Sequence, residues 1–131
     1  MDERKRHAKG LKMRRAVLGN AHVDRAQASE NSFNAPFQDL ITRYAWGEIW
    51  ARPGLPRKTR SLITIAMMVA LNRPDELRMH LRSASNNGVT AKEIQEVLLQ
   101  TAVYCGVPAA NSAFHIAEEV LTETNRKKGK V

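Results

Sequence analysis

The run "LITIAMMVAL", residues 62–71, constrains the fold more than any other stretch of the chain. Together with the preceding "KTRS" it makes a segment, 58–71, without glycine or proline and apolar nearly all round. That pattern predicts a helix buried on every side. The apolar run is half the length of a membrane span, so it is expected in a protein core and not in a bilayer. A second segment, opening at "TAKEIQEV", carries Ile94, Val97, Leu98, Leu99, Ala102, Val103 and Tyr104. A chain of 131 residues builds one domain with a modest core. Such a body is too small to cover two helices of this kind. Leftover apolar surface is normally buried between subunits, so a homo-oligomer is expected.

The remaining segments also read as helices. Glycine and proline number only 7 and 5, and no segment alternates as a strand would. Residues 3–26 are basic with loosely spaced apolar positions, which predicts a short helix or arm within an N-terminal basic region, 1–30. Residues 28–37 form a linker. In 37–50, Leu40, Ile41, Tyr44, Ala45 and Ile49 recur at helical spacing and predict an amphipathic helix. "ARPGLPRK", 51–58, is a loop. The third helix ends at "NRP", because proline disfavours helix in the residue before it. The fourth opens at Pro74, with Asp75 and Glu76 on the positive end of its dipole, and stops near Gly88. Thr90 and Glu93 form a capping box for the fifth, which ends at Gly106. The sixth runs from Pro108 to about Thr124, leaving a frayed basic tail, 125–131. The expectation is an all-α, compact bundle of about six helices in one domain, 1–131.

The net charge of +8 sits at the ends. Residues 1–15 contribute +5, residues 126–130 contribute +4, and the body between them is −1. No nucleic-acid motif accompanies the charge, so no specific nucleic-acid partner is expected. The one cysteine, Cys105, excludes a disulfide within the chain and a CxxC pair. No apolar stretch follows "MDERKRHAKG". A cytoplasmic, reducing setting is therefore expected.

Few residues are candidates for chemistry. His115 and Glu119 stand one turn apart without a third ligand, so the expectation is an ion pair and no metal site. Cys105 falls at the negative end of its helix dipole, which disfavours a reactive thiolate. His80 has Glu76 one turn before it, a spacing that suits an acid–base imidazole, although a histidine so placed is more often structural. "AWGEIWARPGLPRKTRS", 45–61, sets Arg52, Arg57, Lys58 and Arg60 beside two tryptophans. Arginines against flat aromatic walls suit a small carboxylate-bearing ring compound.

Taken in order, "RRAVLGNAHVDRA", "WGEIWARPGL", "TRSLITIAMMVAL", "ELRMHLRSA", "GVTAKEIQEVLLQTAVYCGVPAANSAF" and "AEEV" resemble the 4-carboxymuconolactone decarboxylase family. This family lies within the AhpD-like superfamily, which also includes thiol enzymes of alkyl hydroperoxide reduction. The likeness spans residues 4 to 121, with one departure at Ser85. It implies an AhpD-like helical fold, a hexamer or trimer, and a carboxy-lyase without cofactor in the β-ketoadipate pathway of protocatechuate breakdown. The substrate implied is a lactone dicarboxylate. In the thiol relatives a CxxC precedes the histidine. Here those positions fall on Arg73 and Glu76, and a glutamate that assists the thiol falls near Ser61, while His80 keeps the histidine.

On that likeness, His80 is expected to be the general acid, with Glu76 orienting it. Arg52 and Arg60 are expected to hold carboxylate and oxyanion, with Arg57 behind them. Trp46 and Tyr104 would supply apolar walls, and Glu48 and Glu96 polar contacts or a helix-to-helix ion pair. Two other functions compete. One is a thiol-dependent antioxidant protein related to the peroxidases. The other is a non-catalytic oligomeric module that binds an aromatic acid.

Overall fold

A computed structural model describes residues 2–127. Seven α-helices, one π-helix and one 3-10 turn make up the described residues, and no strand occurs among them. The all-α expectation holds, and the count of six becomes seven α-helices. The chain divides into two compact units, Met1–Arg57 and Lys58–Val131.

In the first unit, α1 (Glu3–Leu18) is capped by Asp2, whose carboxylate accepts from the Lys5 backbone N–H at 2.8 Å. Gly19, at φ 92°, breaks the helix in a conformation that side-chain-bearing residues rarely adopt. The chain then resumes as α2 (Asn20–Ala28). The basic region is therefore two helices and not an arm. After the turn at 29–34, α3 (Ala35–Ile41) opens with proline in its first turn and runs into a π-helix, Thr42–Trp50.

The α1 helix packs directly on the π-helix. A Cβ added to Gly10 would collide with the Thr42 carbonyl oxygen, and one on Gly47 would sit 2.5 Å from the Arg6 carbonyl oxygen. The two backbones touch where neither residue has a side chain. This contact corrects the expectation for 37–50. Leu40, Tyr44 and Ile49 are exposed, while Thr42, Trp46 and Gly47 are buried. The wider π winding shifts which residues align, and close approach selects the small ones. Thr42 Oγ1 also donates to the Gln38 carbonyl at 2.7 Å, a side-chain bond that competes with regular helix pairing.

The second unit follows the sequence closely. In α4 (Arg57–Ala70), Ile65 and Val69 face the core. Asn72 adopts a positive φ of 55° after the helix, and Arg73 is non-helical ahead of Pro74. The α5 helix (Pro74–Ser83) passes into a 3-10 turn, Ala84–Asn87, that ends at Gly88. Both halves of the Thr90–Glu93 capping box are made at the start of α6 (Ala91–Tyr104). The last helix, α7 (Val107–Lys127), continues through 125–127, which corrects the expected fraying there. The rest of that tail, 128–131, lies outside the described residues.

One apolar cluster holds this unit, with Leu77 and Leu81 of α5, Ile94 and Leu98 of α6, and Ala113, Ala117 and Val120 of α7 among its members. Arg78–Glu119 at 2.9 Å and Arg82–Glu123 at 3.4 Å clip α5 to α7 at matching turns. Lys58–Glu93 at 2.7 Å clips α4 to α6. The fully buried α4 predicted above is corrected. Its second face, Ile63 and Met67, is exposed and continues into the exposed Tyr104 of α6. These residues line an apolar groove of about 450 Å³.

Candidate active site

The second unit carries the imidazole. His80 lies in the last turn of α5 and is 8 % exposed. Its helical face continues through Ser83 and Asn87, both buried. Ser83 Oγ donates to the Met79 carbonyl at 2.8 Å, and Asn87 Nδ2 donates to the Ser83 carbonyl at 3.2 Å. A polar stripe of three residues thus runs along a helix whose other face, Leu77 and Leu81, belongs to the core. Among the described residues, the buried Asn87 Oδ1 and Ser61 Oγ have no hydrogen-bond partner. Buried polar atoms are normally paired, with protein or with ordered water, so both stand out in this unit. Sequence reasoning missed Asn87 and met Ser61 only as the place of a thiol-assisting glutamate. Asn87 sits at i+7 from His80, and that spacing was the available signal.

Glu76 is exposed in the first turn of α5, so a carboxylate–imidazole bond requires it to turn inward along the helix. Arg60 is half-buried in the second turn of α4. With Arg57 and Lys58 it places three cations at the positive end of a helix that has no acidic residue in its first turn. Cations there oppose the macrodipole, and the arrangement attracts anions. Glu93 takes up Lys58, and that pairing, with the Thr90 backbone N–H, holds the Glu93 carboxyl below its ordinary range. Glu96 is exposed on α6, and Tyr104 at its end is 80 % exposed. Cys105 caps α6 as a half-buried free thiol. Glu119 bonds Arg78, which corrects its expected pairing with His115.

The first unit holds the other candidates. Trp46 is buried, with its ring centroid 5.2 Å from that of Trp50. Glu48 is half-exposed between two arginines, Arg6 at 3.5 Å and Arg52 at 3.7 Å. The Arg6 contact joins α1 to the π-helix, which is the helix-to-helix ion pair named as one reading of Glu48. Arg52 is exposed beyond the π-helix. Trp46, Glu48 and Arg52 therefore belong to one unit, and Arg60, Glu76, His80, Glu96 and Tyr104 to the other.

Among the described residues, no group of three or more His, Cys, Asp or Glu is placed to hold a metal ion. No helix among them is long and apolar enough to cross a membrane.

Known proteins supply the context for these residues. The chain is 54% identical over 123 residues to 4-carboxymuconolactone decarboxylase of Acinetobacter baylyi, covering 94% of this chain and 92% of that one. It is 43% identical to the nitrosuccinic acid decarboxylase of Metarhizium robertsii, over 87% of this chain and 80% of the relative. A 48-residue 4-carboxymuconolactone decarboxylase sequence from Pseudomonas putida is 54% identical along its whole length, 37% of this chain. The Carboxymuconolactone decarboxylase family matches residues 35–119, which run from the start of α3 into α7 and include every candidate residue weighed above. By that match and by near full-length identity to a decarboxylase, the chain belongs to the carboxymuconolactone decarboxylase family.

Proposed function

We propose that this protein is a carboxy-lyase that converts 4-carboxymuconolactone into 3-oxoadipate enol-lactone and carbon dioxide, a step of protocatechuate breakdown in the β-ketoadipate pathway. The observation that carries the reading is the 54% identity to the Acinetobacter baylyi enzyme along 94% of the chain. The chemistry needs no cofactor. The departing carboxylate sits on a carbon conjugated, through the ring double bond, to the lactone carbonyl. The electron pair left by carbon dioxide spreads to that carbonyl as a dienolate. Protonation of the ring carbon beside the carbonyl completes the reaction.

The residues divide these tasks. Arg60, at the cationic start of α4, and Arg52 hold the substrate's second carboxylate and stabilise the oxyanion. His80 donates the proton, with Glu76 turning inward to orient it. Trp46 and Tyr104 give apolar walls that strip solvent from the departing carboxylate. Glu48 and Glu96 contribute polar contacts. The whole chain acts as one catalytic domain. The exposed apolar face of α4 and α6 becomes an interface between copies in a cytoplasmic hexamer or trimer.

The test mixes pure protein with enzymatically prepared 4-carboxymuconolactone, without added metal, and follows ultraviolet loss together with carbon dioxide release. Turnover is the expected result, and its absence overturns the reading. Nitrosuccinic acid is the control substrate, because a relative is named for it. His80→Ala is expected to lower turnover ~100-fold with the fold intact, and a loss below roughly tenfold removes His80 as the main proton donor. Arg60→Ala is expected to raise KM and lower kcat together.

A further inference from the structure

Two adjacent arginines on α1 meet opposite fates. Arg15 is fully engaged, with Asp24 at 2.9 Å, Gln27 at 3.1 Å and Asn20 at 3.3 Å. Arg14 is 8 % exposed, and among the described residues its buried Nε has no hydrogen-bond partner. Arg14 lines a pocket of about 90 Å³ within the first unit, enclosed by α1, α2, α3 and the start of the π-helix. That space is several times what a single water needs. Gln38 lines the same pocket, and its buried Oε1 also lacks a partner. Thr42, nearby, is already committed to the Gln38 carbonyl.

The charged groups around the pocket leave Arg14 unneutralised at close range. Asp39 is drawn to His7, 3.5 Å away. Glu30 is exposed and acts on Arg14 only through its longer-range field. A guanidinium out of water needs an anion or acceptor oxygens opposite it, because burying an unpaired charge is among the costliest things a fold can do. The pocket therefore pairs a guanidinium whose buried Nε lacks a partner with an unpaired acceptor, Gln38 Oε1. Burial also holds the Arg14 guanidinium below its ordinary value, with the Glu30 charge opposing that shift.

We propose that the Arg14 pocket binds a small oxyanion that also carries a hydroxyl donor, of the size and chemistry of bicarbonate or a two-carbon hydroxy acid. The anionic oxygens meet the guanidinium, and the hydroxyl donates to Gln38 Oε1. The site lies within the first unit and does not depend on which acid is decarboxylated near His80. Its test is binding, separate from turnover.

The experiment labels the full-length protein with 15N-arginine and follows the Arg14 Nε–Hε resonance. Sodium bicarbonate, glycolate, acetate and chloride are titrated at constant ionic strength. The expected result is a saturable shift with glycolate, bicarbonate or both, whichever is favoured identifying the source. Acetate, which lacks the hydroxyl, should bind roughly three- to tenfold more weakly, the fold-change of one lost hydrogen bond. Gln38→Leu should erase that preference. Glu30→Gln, a change of nearly equal size at an exposed residue of the pocket lining, should tighten binding by removing a competing negative field. Ala26→Leu, which fills the pocket, should abolish the shift. A response equal to that of chloride, one that never saturates, or one that survives Ala26→Leu overturns the proposal and leaves ordered water as the occupant.

Discussion

The two units reach stability by different routes. The second buries a continuous apolar cluster centred on side chains such as Leu98 and Ile65, neither of which is exposed at all. The first buries fewer apolar side chains among its described residues, Val17, Leu18, Val23 and Trp46. It brings α1 and the π-helix into backbone contact at Gly10 and Gly47 and surrounds that contact with ion pairs, including Arg6–Glu48 and Arg43–Glu3. Side-chain burial tolerates some repacking, because neighbouring side chains relax around a change. Backbone contact does not, because there is no rotamer to adjust. The two units should therefore respond to opposite kinds of mutation.

Leu98→Ala should have the largest effect on stability. Removing a fully buried leucine costs about 2–5 kcal/mol, with the upper part of that range expected where the cluster cannot collapse. Chemical denaturation measures it, and a cost below ~1 kcal/mol would mean that the second unit does not rest on its apolar core. Gly10→Ala is the mirror experiment. Adding one methyl group should cost about 1–3 kcal/mol, because the Thr42 carbonyl must move, although alanine is the better helix former. A neutral or stabilising result in the same measurement would erase the contrast between the units.

Thr90→Ala sharpens the comparison at a helix end. It removes one side of the α6 capping box and should cost about 1 kcal/mol, read as a modest fall in Tm. The smallest effect expected is on pH dependence. Burial, and after it Arg14 and Arg25, hold the His22 imidazole below its ordinary value of 6.5. The unfolded chain then binds the proton more readily than the folded one. The stability contributed by keeping His22 neutral is complete above 6.5 and is lost as pH falls from there through the folded value. In the second unit Lys58 holds the Glu93 carboxyl below its ordinary 4.5, so its contribution is complete above 4.5 and fades only as pH falls further. His22→Gln should flatten the upper part of the acid-stability curve and leave the lower part unchanged. If the wild-type curve is already flat between the two ordinary values, His22 plays no such part.

The second unit was legible because its boundaries are written in local chemistry. Pro74, the Thr90–Glu93 box and Gly106 act on the residues beside them, and each ends or begins a helix where read. The first unit was less legible for the same reason in reverse. The apolar spacing of Leu40, Tyr44 and Ile49 pointed to a buried stripe, yet the buried face follows a glycine contact with a helix more than thirty residues earlier. The candidate site shows the same split. His80 is a candidate through its neighbours on one helix together with the family likeness, and the structure buries it. The tie between Glu48 and Arg6, and the isolation of Arg14 beside a fully engaged Arg15, depend on distant segments and leave no local signature.

By itself the sequence determined an all-helical chain, the ends of most of its helices, and a family likeness spread along nearly its full length. The first two follow from short-range forces: propensity, capping and the apolar content of single segments. Only the tertiary structure decided that the basic N-terminal region is a pair of packed helices, that the tryptophan segment winds as a π-helix, and that Arg14 faces a pocket. Each of these depends on what a residue meets across space, where a missing Cβ or an unpaired guanidinium has no counterpart in the order of the chain.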